Sequence, residues 1–210
     1  YYKDKILQFK KRKVFVINIS GDYEFLEDTF DNVGVLHQAS VTKTPHGIVW
    51  ANKSGCYLYD GQQMTNLIDG KISTTSDYST ISNNYWLANL FDGDCVVGYI
   101  QDRDTLLIKW TSDNKSSTAI PDSSCYHFPT KSWVFNHEAI SGTGNSAETG
   151  SVSNMITDVN GDLLYYRFDD TPLSFNGIKK WNNSSLATGY KIIYFTTKDF
   201  TFGNIVDRKK

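Results

Sequence analysis

Short apolar segments alternate with tight polar turns along most of this chain, and almost no stretch shows the 3.6-residue period of an amphipathic helix. Residues 6–9 and 14–17 flank the turn Lys10-Lys11-Arg12-Lys13 and predict a hairpin. Residues 47–51 and 56–59 flank Asn52-Lys53-Ser54-Gly55, and Asp60-Gly61 turns the chain again into 64–67, so three short strands form a meander. A third unit runs over 95–100, turns through Gln101-Asp102-Arg103-Asp104 and returns over 105–110. After a Ser/Asn-rich loop it continues through 125–128, the turn Pro129-Thr130-Lys131 and 132–135. The fourth unit predicts strands at 154–157, 163–168 and within 173–181, joined by Asp158-Val159-Asn160-Gly161 and Asp169-Asp170-Thr171-Pro172. Only residues 22–30 admit a helix, and there polar and apolar positions are too mixed to decide.

The first turns of the four units fall near residues 11, 53, 102 and 160, at separations of about 42, 49 and 58 residues. Four-stranded propeller blades recur at roughly 40 to 50 residues, and surface loops add more. The predicted fold is therefore all-β and β-propeller-like, with about four blades of short antiparallel strands in a single region over 1–210. A β-sandwich, which also has short strands and frequent turns, is the alternative.

Composition agrees with strands: 13 Tyr, 12 Phe and 5 Trp make the chain 14% aromatic, and such residues suit half-buried pleated surfaces. Trp50, Trp86, Trp110, Trp133 and Trp181 are spread almost evenly. One large filler per blade core explains that spacing better than a sugar-stacking platform does. A hydrophobic fraction of 40% and a charged fraction of 21% fit a globular domain. The net charge of -2 argues against a dedicated nucleic-acid binder, whose phosphate contacts need an excess of Lys and Arg. No apolar run reaches the roughly 18 residues that a membrane-spanning helix needs, and no basic-then-apolar leader opens the chain. The opening Tyr1-Tyr2 and the closing Arg208-Lys209-Lys210 predict a fragment of a longer chain.

Candidate chemistry changes this picture little. Cys56, Cys95 and Cys125 are odd in number and widely spaced, which favours buried thiols of a reducing compartment over a disulfide framework or a zinc site. N-x-[ST] sequons such as those at Asn18, Asn52, Asn114 and Asn182 are expected by chance in an Asn/Ser/Thr-rich chain. The Gly/Ser run over 141–150 lacks the GK[ST] ending of a phosphate loop and reads as a surface loop, a candidate partner contact, as 74–84 reads as a second loop. Asp158-Val159-Asn160-Gly161-Asp162 loosely resembles a calcium loop without its late acid, and Asp-x-Asn-Gly equally suits a β-turn. Asp92-Gly93-Asp94 invites the same turn reading.

His37, His46, His127 and His137 show no metal-ligand spacing, although Cys125 and His127 share one face of a strand. Asp60, Asp102, Asp104 and Asp169 flank strand ends, where propeller glycosidases place their acids, and are more simply turn formers. No G-x-S-x-G elbow, aspartate box, or WD40 or kelch signature occurs. No residue is assigned a catalytic, cofactor-binding or metal-binding role, and the chain is read as a non-enzyme with no cofactor.

The stretch His46-Gly47-Ile48-Val49-Trp50-Ala51-Asn52-Lys53-Ser54-Gly55-Cys56-Tyr57-Leu58-Tyr59-Asp60-Gly61 resembles the blade meander of many non-enzymatic propellers, with its Gly, aromatic and Tyr-Asp-Gly steps. The tail Tyr194-Phe195-Thr196-Thr197-Lys198-Asp199-Phe200-Thr201-Phe202-Gly203-Asn204, followed by Arg208-Lys209-Lys210, resembles the end of the propeller region in virion structural proteins of tailed bacteriophages, of the tail hub or nozzle type. The resemblance implies a structural component of the virion, in the tail or its connector, assembled in the host cytoplasm. Its implied partners are further copies of itself in a homo-oligomer and other virion proteins, with DNA passing through a channel without specific binding and no membrane contact. A carbohydrate-binding propeller or lectin-like module for host-surface recognition is the alternative, and a glycoside-active enzyme the third reading.

Overall fold

The computed structural model describes residues 1–72, 86, 95–110, 123–136, 151–168 and 177–181. Among them the fold is all-β, built from four small antiparallel sheets that follow one another in chain order, none closed on itself. The first sheet orders β1 (Lys5–Phe9), β2 (Lys13–Asn18) and β3 (Phe25–Asp31) as β1-β2-β3. The second orders β4 (Val41–Thr44), β5 (Gly47–Asn52), β6 (Gly55–Tyr59) and β7 (Met64–Asn66) as β4-β5-β6-β7. The third contains β8 (Cys95–Ile100), β9 (Thr105–Trp110), β10 (Ser123–His127) and β11 (Ser132–Asn136), and the fourth β12 (Ser151–Thr157), β13 (Leu163–Phe168) and β14 (Gly177–Lys180). Every sheet is a simple meander, as the turn-punctuated sequence predicts. No helix among the described residues is long and apolar enough to cross a membrane.

Two elements differ from the sequence reading. Residues 25–31, within the stretch that admitted a helix, form strand β3. Its partners pass from Val16↔Asp28 to Ile17↔Leu26, so Glu27 is an extra residue in the ladder. A bulge switches the inward and outward sets at that point, which is why no period of two is legible across it. The Glu27 carboxylate accepts from Lys5 Nζ and from Asn18 Nδ2, the latter at 2.6 Å; the Lys5 bond, then the Asn18 bond, hold its pKa below the usual carboxylate range. Strand β4 was not anticipated either, because Val41-Thr42-Lys43-Thr44 offers one apolar residue. Thr44 is nonetheless buried, its hydroxyl donating to Gly47 O at 3.0 Å.

Strand alternation sends neighbouring residues to opposite faces, and the second and third sheets bury both. Ile48, Trp50, Tyr57 and Tyr59 pack with Val14 and Val16 of the first sheet. The alternate residues Val49, Ala51 and Cys56 pack with Val97, Tyr99, Leu106 and Ile108 of the third. Val96, Ile100 and Leu107, on the third sheet's other face, pack with Met155 and Leu163 of the fourth. At about 1.5–3 kcal/mol per fully buried large aliphatic side chain, these three junctions in series hold the fold together. The first strands of successive sheets lie side by side, β8 against β4 and against β12. Gly98 of β8 permits that approach: a Cβ there would stand 2.8 Å from Leu163 Cδ1 and 2.9 Å from Met155 Cβ.

The tryptophans with described side chains are core fillers, as expected, but not one per core: Trp86 and Trp133 share the second junction, their rings 5.5 Å apart. Trp50 and Trp86 are fully buried, and Trp133 and Trp181 pack against the second and third junctions. All three cysteines carry thiols, with Cys56 and Cys95 buried and Cys125 half-buried. Burial, and then the neighbouring Cys95, push the Cys56 thiol well above its usual pKa, which leaves it a poor nucleophile.

Candidate functional site: the turn face of the second and third sheets

Antiparallel meanders bring alternate turns to the same end of each sheet. The β4–β5 turn carries His46, the β8–β9 turn carries Asp104 and the β10–β11 turn begins at Phe128, and these three meet. His46 Nε2 bonds Asp104 Oδ1 at 2.7 Å, and the same oxygen accepts from the Tyr99 hydroxyl at 2.8 Å. The imidazole stacks on the Phe128 ring at 4.2 Å and 17°, while Phe128 N donates to Asp104 O at 3.1 Å. Asp104 takes a left-handed conformation (φ 46°, ψ 49°), closing the turn that follows the 3-10 segment Gln101–Arg103. Asp and Asn tolerate this region better than most residues, so one residue both shapes the turn and presents the carboxylate.

This grouping makes a cross-sheet clamp. A carboxylate that holds an imidazole in place is half of a catalytic relay, but a nucleophile must then lie at the other ring nitrogen. Among the described residues the imidazole nitrogens bond Asp104 alone. The described groups orient the imidazole and tie the turns of the two sheets together. Solvent reaches both His46 and Asp104, so the pair contributes about 0–1 kcal/mol; the Tyr99 bond to a charged acceptor is the stronger link, about 1.5–3 kcal/mol.

The other acids singled out in the sequence serve their own turns. Asp60 Oδ1 accepts the N–H groups of Gln62 and Gln63 at 2.8 and 2.9 Å, and the Gln63 bond, offset in part by burial, lowers its pKa. Asp158 Oδ1 accepts the N–H groups of Asn160 and Asp162, each at 2.8 Å, with Gly161 at φ 84°, so the calcium-like stretch forms a β-turn. The Asp162 N–H is the main cause that lowers the Asp158 pKa. Asp102 is exposed, 3.9 Å from Arg103. His127, on the strand face shared with Cys125, bonds Thr130 Oγ1 at 2.7 Å, while Cys125 packs against the third junction. Two sequon asparagines have structural work: Asn18 bonds Glu27, and Asn52 donates to Gly34 O at 2.7 Å. The loops 74–84 and 141–150, the segment 92–94, Asn114, Asn182, His137, Asp169 and the tail 194–210 lie outside the described residues.

Sequence reasoning treated the histidines as isolated and Asp104 as a turn former. Asp104 is a turn former and also meets His46, 58 positions away. No local spacing signals that contact; the only hint is that both residues flank turns following an odd-numbered strand of their meanders.

Burial of the Tyr99 phenol, then its hydrogen bond to Asp104 and the charge there, hold its pKa above the usual tyrosine range. Burial is also the first cause that raises Tyr57, Tyr59 and Tyr126. The folded chain keeps protons that the unfolded chain releases above about pH 10. Stability is then full below that pH and falls as pH rises above it, until the folded phenols themselves ionise. Urea midpoints at successive alkaline pH values should fall. Asp104→Asn, which keeps the left-handed turn and removes the charge, should make the fall shallower and cost about 1 kcal/mol at neutral pH. An unchanged alkaline slope in that variant would show that the clamp does not hold the phenol.

The chain matches no protein-family model and no curated protein.

Proposed function

We propose that this chain is a stretch of a β-propeller serving as a non-enzymatic structural component of a bacteriophage virion, in the tail hub, nozzle or connector. The observation that carries the reading is the serial packing. A two-layer sandwich has a single junction between sheets, whereas here three junctions follow one another in chain order, with both faces of the second and third sheets covered. The first strand of each later sheet lies beside the first strand of the next, β4 by β8 and β8 by β12. Neighbouring first strands of this kind support the propeller reading, since blades set about an axis carry their first strands innermost.

The virion assignment rests on the resemblance of residues 194–204 and 208–210, and the resemblance of residues 46–61 supports the propeller. A non-catalytic role is supported by the engagement of Asp60 and Asp158 in their own turns and of Asp104 in the clamp. The net charge of -2 suits a channel through which DNA passes without adhering, since basic linings bind phosphate. A sugar-stacking module would need exposed indoles, and the four tryptophans with described side chains serve the junctions.

The test is the mass and symmetry of the native assembly, by light scattering and particle imaging. A ring of several copies around an open channel is the expected result. A monomer would overturn the reading, and glycan binding would then be measured.

A further inference from the structure

Strand β5 runs from Gly47, beside His46 of the clamp, to Asn52, so the turn into β6 lies at the end of the sheet away from the clamp. Strand β1 begins near the clamp end, where the Tyr2 hydroxyl donates to Pro45 O at 3.3 Å, and its turn into β2 therefore lies at the same far end. Gly34 ties these two turns together. Val35 N donates to Lys10 O at 3.0 Å and Asn52 Nδ2 to Gly34 O at 2.7 Å, while a Cβ on Gly34 would stand 2.0 Å from Lys10 O and 2.7 Å from Arg12 N. Lys10 N closes the first turn on Lys13 O at 2.8 Å, and Asn52 Oδ1 closes the second by accepting from Ser54 N and Gly55 N.

The turns so fixed carry Lys10, Lys11, Arg12, Lys13 and Lys53, all exposed. Asp31 reaches Lys13 Nζ at 2.7 Å, and among the described residues no carboxylate comes within salt-bridge reach of the other four. Five cations and Asp31 give this cluster a charge of +4, so the -2 of the whole chain is -6 over the remainder. Like charges crowded on one surface repel one another, and a polyanion laid across them relieves that repulsion.

We propose that the two turns form a contact for the phosphate backbone of double-stranded DNA, read by charge and not by sequence. The exposed side chains favour phosphate over an acidic protein surface. Protein interfaces have an apolar centre and are depleted of Lys, whereas the exposed side chains of 10–13 and 52–55 are four Lys, one Arg and Ser54. Lys and Arg are the groups that neutralise phosphates and release their counterions. The inference goes beyond the proposed function and does not rest on it: it confines adhesion to DNA to one end of a chain that is acidic elsewhere.

The test is fluorescence anisotropy of a labelled DNA duplex, titrated with the full chain at salt concentrations from about 50 to about 200 mM. Four unpaired cations should give a slope of log affinity against log salt of about -3 to -4, or about a hundredfold loss over that range. A duplex of unrelated sequence should bind equally well. Lys11→Glu combined with Arg12→Glu should weaken binding at least about tenfold at the lower salt and flatten the slope by about two. Lys53→Glu, on the other turn, should flatten it by about one. Lys43→Glu combined with Lys131→Glu, which makes the same change in net charge toward the clamp end, should keep the parent slope. Absence of binding at the lower salt would overturn the proposal, as would a slope that the variants of the two turns leave unchanged or that the clamp-end variant flattens as much. Tighter binding to polyglutamate than to the duplex would assign the turns to an acidic protein surface and overturn it as well.

Discussion

Trp50→Ala should cost about 3–5 kcal/mol, the range for emptying an aromatic site in a packed core, and detach the first sheet from the second. The indole is fully buried. It meets Phe9 edge-on at 5.3 Å and stacks with Tyr57 at 5.6 Å. Its Nε1 donates to Val33 O at 2.6 Å, pinning the link between β3 and β4. Truncation removes this apolar contact and leaves a buried carbonyl unpaired. Since a domain has only about 5–15 kcal/mol in total, the variant should be marginal. Trp50→Phe keeps most of the ring packing and should lose about 1–2 kcal/mol, chiefly the hydrogen bond. Urea denaturation measures both, and proteolysis at the Lys10–Lys13 turn reports detachment of the first sheet. A loss under about 1.5 kcal/mol for the alanine variant would mean that this junction does not hold the two sheets.

Gly47→Ala should be comparably severe, at about 2–6 kcal/mol when backbone strain and overpacking are combined. Gly47 has φ 150°, which L side chains rarely adopt, and a Cβ there would stand 2.1 Å from Tyr59 O and 2.8 Å from the carbonyl carbon. Both atoms belong to the backbone of the adjacent strand, so no rotamer change relieves the clash. The displacement would also move His46, next in the chain, off Asp104. Gly98→Ala offers an internal comparison: its Cβ would press on Leu163 Cδ1 and Met155 Sδ, which can swing aside, and on Met155 Cβ at 2.9 Å, but on no backbone atom among these nearest contacts. It should cost less, about 1–3 kcal/mol. Equal thermal stability of the Gly47→Ala variant and the parent protein would mean that β5 and β6 do not approach as closely as the register Ile48↔Tyr59 requires.

Strand positions were legible wherever alternation ran uninterrupted into a turn made of Asp, Asn, Gly or Lys. The hairpin at Lys10–Lys13, the pair β5–β6 and the turn at Asp158 follow from residues within a few positions of one another. Strand β3 was obscured because the Glu27 bulge reverses the alternation, and β4 because threonine supplies its burial.

The contacts between sheets belong to a different scale. Whether Ile48 or Val49 of one strand meets the first sheet or the third depends on how the whole second sheet is oriented, and both residues look alike in the chain. The clamp of His46, Asp104, Tyr99 and Phe128 arises from three turns brought together by that packing. Alternation and turn chemistry act over two to four residues, so the all-β meanders are written locally. Face-to-face packing acts across tens of residues, so the serial junctions and the clamp exist only in the folded arrangement.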